Sequence, residues 1–132
     1  WHKEIIGDSL GNTISPTRTA LNKGLKITIH TDAPVALPNL MRMVGISVDR
    51  KSRSGKVIGE HEKLTPYEAL QSITSWSAYQ HFEEDQKGTL QEGKLADMVI
   101  LDKNPLKISP TEIKEIVVLE TIKEGISVYK KK

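Results

Sequence analysis

The sequence predicts a protein between the α/β and α+β classes, with helices gathered early in the chain and strands late. Three observations carry this. The hydroxyl-proline pairs Ser15-Pro16, Thr65-Pro66 and Ser109-Pro110 mark helix starts, because a hydroxyl caps the first turn and a proline there gives up no hydrogen bond. The alternating run "KITIHTD" at 26–32 reads as a half-buried strand. The runs Leu95 to Asp102 and Glu115 to Lys130 are rich in β-formers and interrupted by turn residues.

Taken in order, the first proline opens a helix from Pro16 to about Asn22, and Gly24 beyond it reads as a C-terminal cap. In the strand that follows, Ile27, Ile29 and Thr31 lie on one side and Lys26, Thr28, His30 and Asp32 on the other. "NLMRMVGISVDR", Asn39 to Arg50, reads as a further helix weakened by Gly45 and Val48, and residues 51–63 read as an exposed loop with a solvated His61. Thr65 and Ser109 open capping boxes, since Glu68 and Glu112 stand three residues on. The helix after Thr65 should run to about Phe82 and bury Ala69, Leu70, Ile73, Trp76 and Ser77 on one face. An aromatic at helical spacing is more often core than a substrate platform, so Trp76 and Tyr79 are read as packing residues. Gly88 and Gly93 bracket a turn or short strand. "LADMVILD" is expected as a buried strand, and two further strands meet at a Lys123-Glu124-Gly125 turn. The change of character near residues 82 to 88 divides the chain into 1–85 and 86–132.

Composition excludes several function classes. At 132 residues, with 37% hydrophobic and 27% charged residues, the chain has the size and make-up of one globular domain. Its net charge of +2 arises from 19 basic and 17 acidic residues dispersed along the chain, concentrated only at Lys130-Lys131-Lys132. That pattern gives no nucleic-acid footprint. Without cysteine there is no disulfide, thiolate metal site or cysteine nucleophile, and any metal must sit on His, Asp or Glu. No apolar run approaches a membrane span and no signal peptide opens the chain, so a cytoplasmic location and no membrane partner are expected. The opening Trp1 suggests a trimmed or processed chain.

Asp32 is the residue that raises a functional question. In an α/β barrel the outward strand face packs on helices, and the carboxyl-terminal strand ends carry the chemistry. Asp32 sits at such an end, although an aspartate there can equally serve as a side-chain acceptor for the turn "DAPV". The four histidines, His2, His30, His61 and His81, form neither a His-x-His pair nor a His-Glu-x-x-His helix motif. His30 and Asp32 share a strand face, but two ligands fall short of the three that a catalytic zinc usually takes. His30 is therefore read as packing below Asp32 or as satisfied by a neighbour.

The segment "GLKITIHTDAPV", then "LTPYEALQSITSWSAY", then "KGTLQEGKLADMVILDKNPL" resembles the carboxyl-terminal end of the amidohydrolase superfamily. It is similar above all to amidohydrolase family 3, the branch that includes N-substituted formamide deformylase-like proteins. The third motif falls on Gly88, Leu90, Gly93, Lys94, Ala96, Asp97, Val99 and Leu101, and the likeness extends back to Trp1. The resemblance implies that residues 1–85 are the last strand and flanking helices of a TIM barrel and that 86–132 are part of a small β-sandwich. It implies that Asp32 is catalytic, as ligand of a divalent metal and as proton carrier between attacking water and leaving group. Zinc is the leading metal for the complete enzyme, and this chain need hold none.

The family's other ligands, a His-x-His pair, a lysine or glutamate and two further histidines, lie on strands this sequence does not contain. The expected function is therefore a part of a metal-dependent hydrolase of non-peptide carbon–nitrogen bonds with a small amide-like substrate, inactive as this isolated chain. The alternative is a non-catalytic assembly or binding module of amidohydrolase descent, and a third possibility is a metal site rebuilt from His30 and Asp32 of several copies. A lone barrel strand exposes both edges, so self-association is expected.

Overall fold

The computed structural model describes residues 2–132, at His2 the backbone alone, and the reading placed on Trp1 lies outside the described residues. In chain order the elements are α1 (His2–Gly11), α2 (Thr17–Asn22), α3 (Leu40–Asp49), a 3-10 turn (Glu60–Glu62), α4 (Pro66–Ser72) and α5 (Ser75–Gln80). Then come β1 (Met98–Leu101), a 3-10 helix (Pro110–Glu115), β2 (Val118–Lys123) and β3 (Ile126–Lys130). Helices precede an antiparallel sheet, as the patterning predicts.

The core forms around α3. Met41, Val44 and Val48 recur at helical spacing and meet Leu64, Ala69, Ile113 and Ile116, all buried. Asn39 secures the helix start by accepting a hydrogen bond from the Arg42 N–H at 2.9 Å. Gly45, which weakens the helix on propensity, is required by packing: a Cβ there would stand 2.8 Å from the Lys114 backbone nitrogen. The 3-10 helix thus lies directly on α3, and the core draws residues from both sides of position 85.

The run at 26–32 departs from the strand expectation, because residues 25–31 join no ladder. Its alternation nevertheless holds. Ile27 and Ile29 pack against the core, whereas the Lys26 ammonium sits 3.6 Å from the ring centroid of Tyr79 and the Thr28 hydroxyl donates to Gln80 Oε1 at 2.7 Å. Hydrophobic pattern settles which face turns inward, but pairing needs a neighbouring strand. The one sheet among the described residues, β1-β2-β3, is formed elsewhere.

The helix expected from Thr65 to Phe82 is two helices. The Thr65–Glu68 capping box is present, with Glu68 Oε2 accepting from the Thr65 N–H at 2.7 Å. The break falls in a hydroxyl-rich run: Ser72 donates to the Ala69 carbonyl at 2.7 Å, Thr74 to Leu70 at 2.8 Å and Ser77 to Ser72 at 2.9 Å. Such side chains compete for helical carbonyls and end the helix locally.

The β2–β3 hairpin turns at Glu124 and Gly125, both with positive φ, with Lys123 facing Ile126. Asp97 explains its place in the "GKLAD" motif, because its Oδ1 accepts from the Glu124 N–H at 2.8 Å and pins that turn. The expectation of a buried strand at Leu95 to Asp102 is corrected, since Val99 is 52% exposed and Ile100 45%; Val128 on β3 is exposed as well. Three strands alone bring no second layer to cover them. Residues 88–93 form no strand. Gly88 instead allows a close approach to α5, where a Cβ would stand 2.7 Å from the Ala78 methyl. The loop at 51–63 is also less solvated than expected, since Glu62 is buried.

Candidate functional site

Asp32 stands where the core-facing segment ends. Its φ of 51° is left-handed, a conformation that aspartate tolerates better than most residues. The Asp32 carbonyl accepts from the Val35 N–H at 2.8 Å, closing a four-residue turn across the cis Ala33–Pro34 peptide. The backbone therefore closes this turn and the carboxylate does not. Among the described residues the Asp32 side chain has neither a hydrogen-bond nor an ion-pair partner, and it is exposed.

The remaining candidates do not gather around it. His30 is exposed, and His61 lies 3.6 Å from Glu62 Oε1. Among the described residues there is no group of three or more His, Asp or Glu side chains able to hold a metal ion. The described residues do not fit a complete metal centre.

A second carboxylate, unnoticed in the sequence, is built in the opposite way. Glu62 is 2% exposed. Its Oε2 accepts from the Thr19 N–H at 2.9 Å, its Oε1 from the Thr19 hydroxyl, and its carbonyl from the Thr17 hydroxyl at 2.6 Å. Ser15, with φ 53°, is not the cap that the Ser-Pro pair predicts, and Pro16 provides no side-chain cap. Glu62 takes over, satisfying an orphan N–H in the first turn of α2 with an anion where the helix dipole favours one. Burial pushes the Glu62 carboxyl up, but hydrogen bonds from Thr19 and the charge of His61 outweigh it and leave it below the usual carboxylate range. No local pattern reveals a cap supplied from 43 residues away.

Arg18 completes the seat. Its guanidinium bonds both Glu68 oxygens, at 2.7 and 2.5 Å, and donates twice to the Lys63 carbonyl. The Arg18 hydrogen bonds, aided by those from Thr65 and opposed by burial, hold the Glu68 carboxyl down at about 2. Arg50 donates to the carbonyls of Ile14, Ser15 and Ile58. At its other end α2 closes in a Schellman motif, with Leu25 N–H on the Ala20 carbonyl at 3.1 Å and Gly24 N–H on Leu21 at 2.8 Å. From there the chain runs directly to Asp32.

A separate cleft of about 800 Å³ opens between α5, residues 83–90 and the sheet, lined among others by Ile73, Ala78, Leu90, Met98, Val99 and Val128. Its charged lining is mixed, with Glu83 paired to Lys87 at 2.7 Å and Asp97 and Lys123 also present, and Asp32 does not line it.

Comparison with known proteins places this architecture. An N-substituted formamide deformylase of Arthrobacter pascens is 26% identical over 116 residues, covering 88% of this chain and 21% of that protein. The Bacillus subtilis protein YtcJ, provisionally named an amidohydrolase, is 28% identical over 134 residues, covering 99% of this chain and 25% of its own length. The chain thus spans a fifth to a quarter of the length of these relatives. An amidohydrolase structure from Thermotoga maritima MSB8 shares the fold with a TM-score of 0.64 at 20% identity, over 87% of this chain and 26% of that one. The amidohydrolase family pattern matches residues 1–129, and the chain belongs to that family.

Proposed function

We propose that this chain is the carboxyl-terminal part of a metal-dependent hydrolase of non-peptide carbon–nitrogen bonds, with Asp32 as its contribution to the active site. On this reading residues 1–85 close a (β/α)8 barrel and residues 86–132 supply part of a small β-sandwich. The observation that carries it is Asp32 itself. In a chain belonging to this family along almost its whole length, an exposed carboxylate ends a core-facing segment with its side chain unpartnered among the described residues. An acid that served only the fold would be expected to accept from a backbone N–H, as Asp97 does from Glu124 and Asp102 from Val117.

The chemistry proposed for Asp32 is proton transfer: a free carboxylate can accept the proton of an attacking water and return it to the departing nitrogen. Its second proposed role is one ligand position for a divalent metal, with zinc the leading candidate. A catalytic zinc takes about three protein ligands, and the described residues offer no such group. No step through a metal is therefore derived for this chain. The likeness to an N-substituted formamide deformylase supports a small amide-like substrate. Neither nucleic acid nor membrane enters the proposal; no helix among the described residues is long and apolar enough to cross a bilayer. The exposed apolar side chains of the sheet, with Ile126 at 68%, support self-association of the isolated chain.

The test is hydrolysis of simple N-substituted formamides. The isolated chain should give none. A polypeptide joining this segment to a barrel that carries a His-x-His strand should turn them over and lose at least about a thousandfold in kcat/KM on Asp32→Ala. Equal turnover by that variant would sink the proposal.

A further inference from the structure

We propose that Glu62 is a positioning residue for Asp32. Through Thr19 it anchors α2, and through α2 it fixes the direction in which residues 25–31 leave the helix and deliver the Asp32 turn. The proposal rests on the reading of Asp32 given above, but it concerns backbone position and is tested without catalysis.

Three features point to it. First, residues 25–31 have no ladder, so no sheet holds them in register. What holds them is Ile27 and Ile29 on the core, Lys26 and Thr28 on α5, and the helix from which they emerge. Second, α2 is only six residues long, too short to be stable without tertiary contacts. It has no N-terminal side-chain cap of its own, so its orientation depends on what grips its first turn. Third, that grip comes from a buried carboxylate with both oxygens bonded to Thr19. A buried charge is retained at a cost in desolvation unless its hydrogen bonds define a geometry that apolar packing would leave loose. The carbonyl of the same residue holds Thr17, so both backbone and side chain of Glu62 face the helix start. The Schellman closure at Leu25 transmits the orientation to the segment without a flexible joint.

The absence of cysteine allows paired spin labels at introduced cysteines. One pair at positions 30 and 42, both exposed, reads the segment against α3, and a second at 42 and 67 reads α4 against α3. In an otherwise native chain both pairs should give narrow distance distributions by pulsed electron resonance. Glu62→Ala should broaden the 30–42 distribution about twofold and leave the 42–67 distribution narrow, because local release precedes global loosening. Glu62→Gln, whose amide can still accept from Thr19, should restore the narrow 30–42 distance. An unchanged 30–42 distance in Glu62→Ala, or equal broadening of both pairs, would overturn the proposal. Should Glu62→Ala fail to fold, Thr19→Val removes only the hydroxyl contact and is judged by the same two distances: selective broadening at 30–42 supports the proposal, and any other outcome overturns it.

Discussion

The seat of α2 and the Asp32 turn lie at the two ends of one short stretch of chain, and each is organised around an acid. At the seat, Glu62 is buried and every oxygen has a donor from α2. At the turn, Asp32 is exposed and its carboxylate has no partner among the described residues. A carboxylate consumed by hydrogen bonds is committed to the fold, while one left bare remains free for chemistry. The same contrast recurs at larger scale between the core around α3, where Val44 and Ile113 are fully buried, and the sheet, where Val128 is 60% exposed. These core side chains are covered within the chain, whereas those of the sheet lack a covering layer among the described residues.

The comparison breaks most visibly at the core. Ile113→Ala should cost about 2–5 kcal/mol in chemical denaturation, because it empties a site between the 3-10 helix and α3. Val128→Ala, on the exposed sheet, should cost well under that, and equal losses would mean that the sheet is covered in solution. Gly45→Ala should cost about 1–3 kcal/mol, since the added methyl meets the Lys114 backbone at 2.8 Å and helix propensity cannot offset the clash.

At the seat, Arg18→Ala should destabilise the chain and also change its response to acid. The Glu68 carboxyl is held at about 2 in the folded chain, below its value when unfolded. Its contribution to stability is therefore complete above the ordinary carboxylate range and is lost as pH falls from there towards about 2. Glu62 is shifted in the same direction and adds to the same window. Denaturation midpoints measured from neutral pH downwards should fall through that window in the native chain and fall less in Arg18→Ala. Parallel curves would show that the Arg18–Glu68 pair does not set the acid response. The smallest effect belongs to Asp32→Asn, which breaks no contact of the fold and should change stability by less than about 0.5 kcal/mol. A larger loss would reveal a structural partner and weaken the contrast.

What the sequence makes legible follows the range over which its signals act. Thr65 with Glu68, the Asn39 helix, and the Glu124-Gly125 hairpin are written in neighbouring residues, and all three form. The inward face of 25–31 was equally readable from Ile27 and Ile29, since alternation needs only a buried side. Whether that segment pairs is decided by strands, and strands are long-range. Glu62 was hidden for the same reason: a cap reached across 43 residues leaves no trace beside α2. The hydroxyl run that splits α4 from α5 was visible, but the apolar stripe spanning it gave the stronger signal. For Asp32 the motif gives position and chemical type, and the structure adds that its carboxylate is left free.

The measurement that bears most directly on that account is the metal content of the purified chain, determined by inductively coupled plasma mass spectrometry after dialysis against metal-free buffer, for the native sequence and Asp32→Asn. A carboxylate held out for partners beyond this chain predicts no stoichiometric zinc, iron or manganese in either. About one equivalent of metal retained by the native chain and lost in Asp32→Asn would contradict it, and would mean that copies of this chain assemble a centre by themselves.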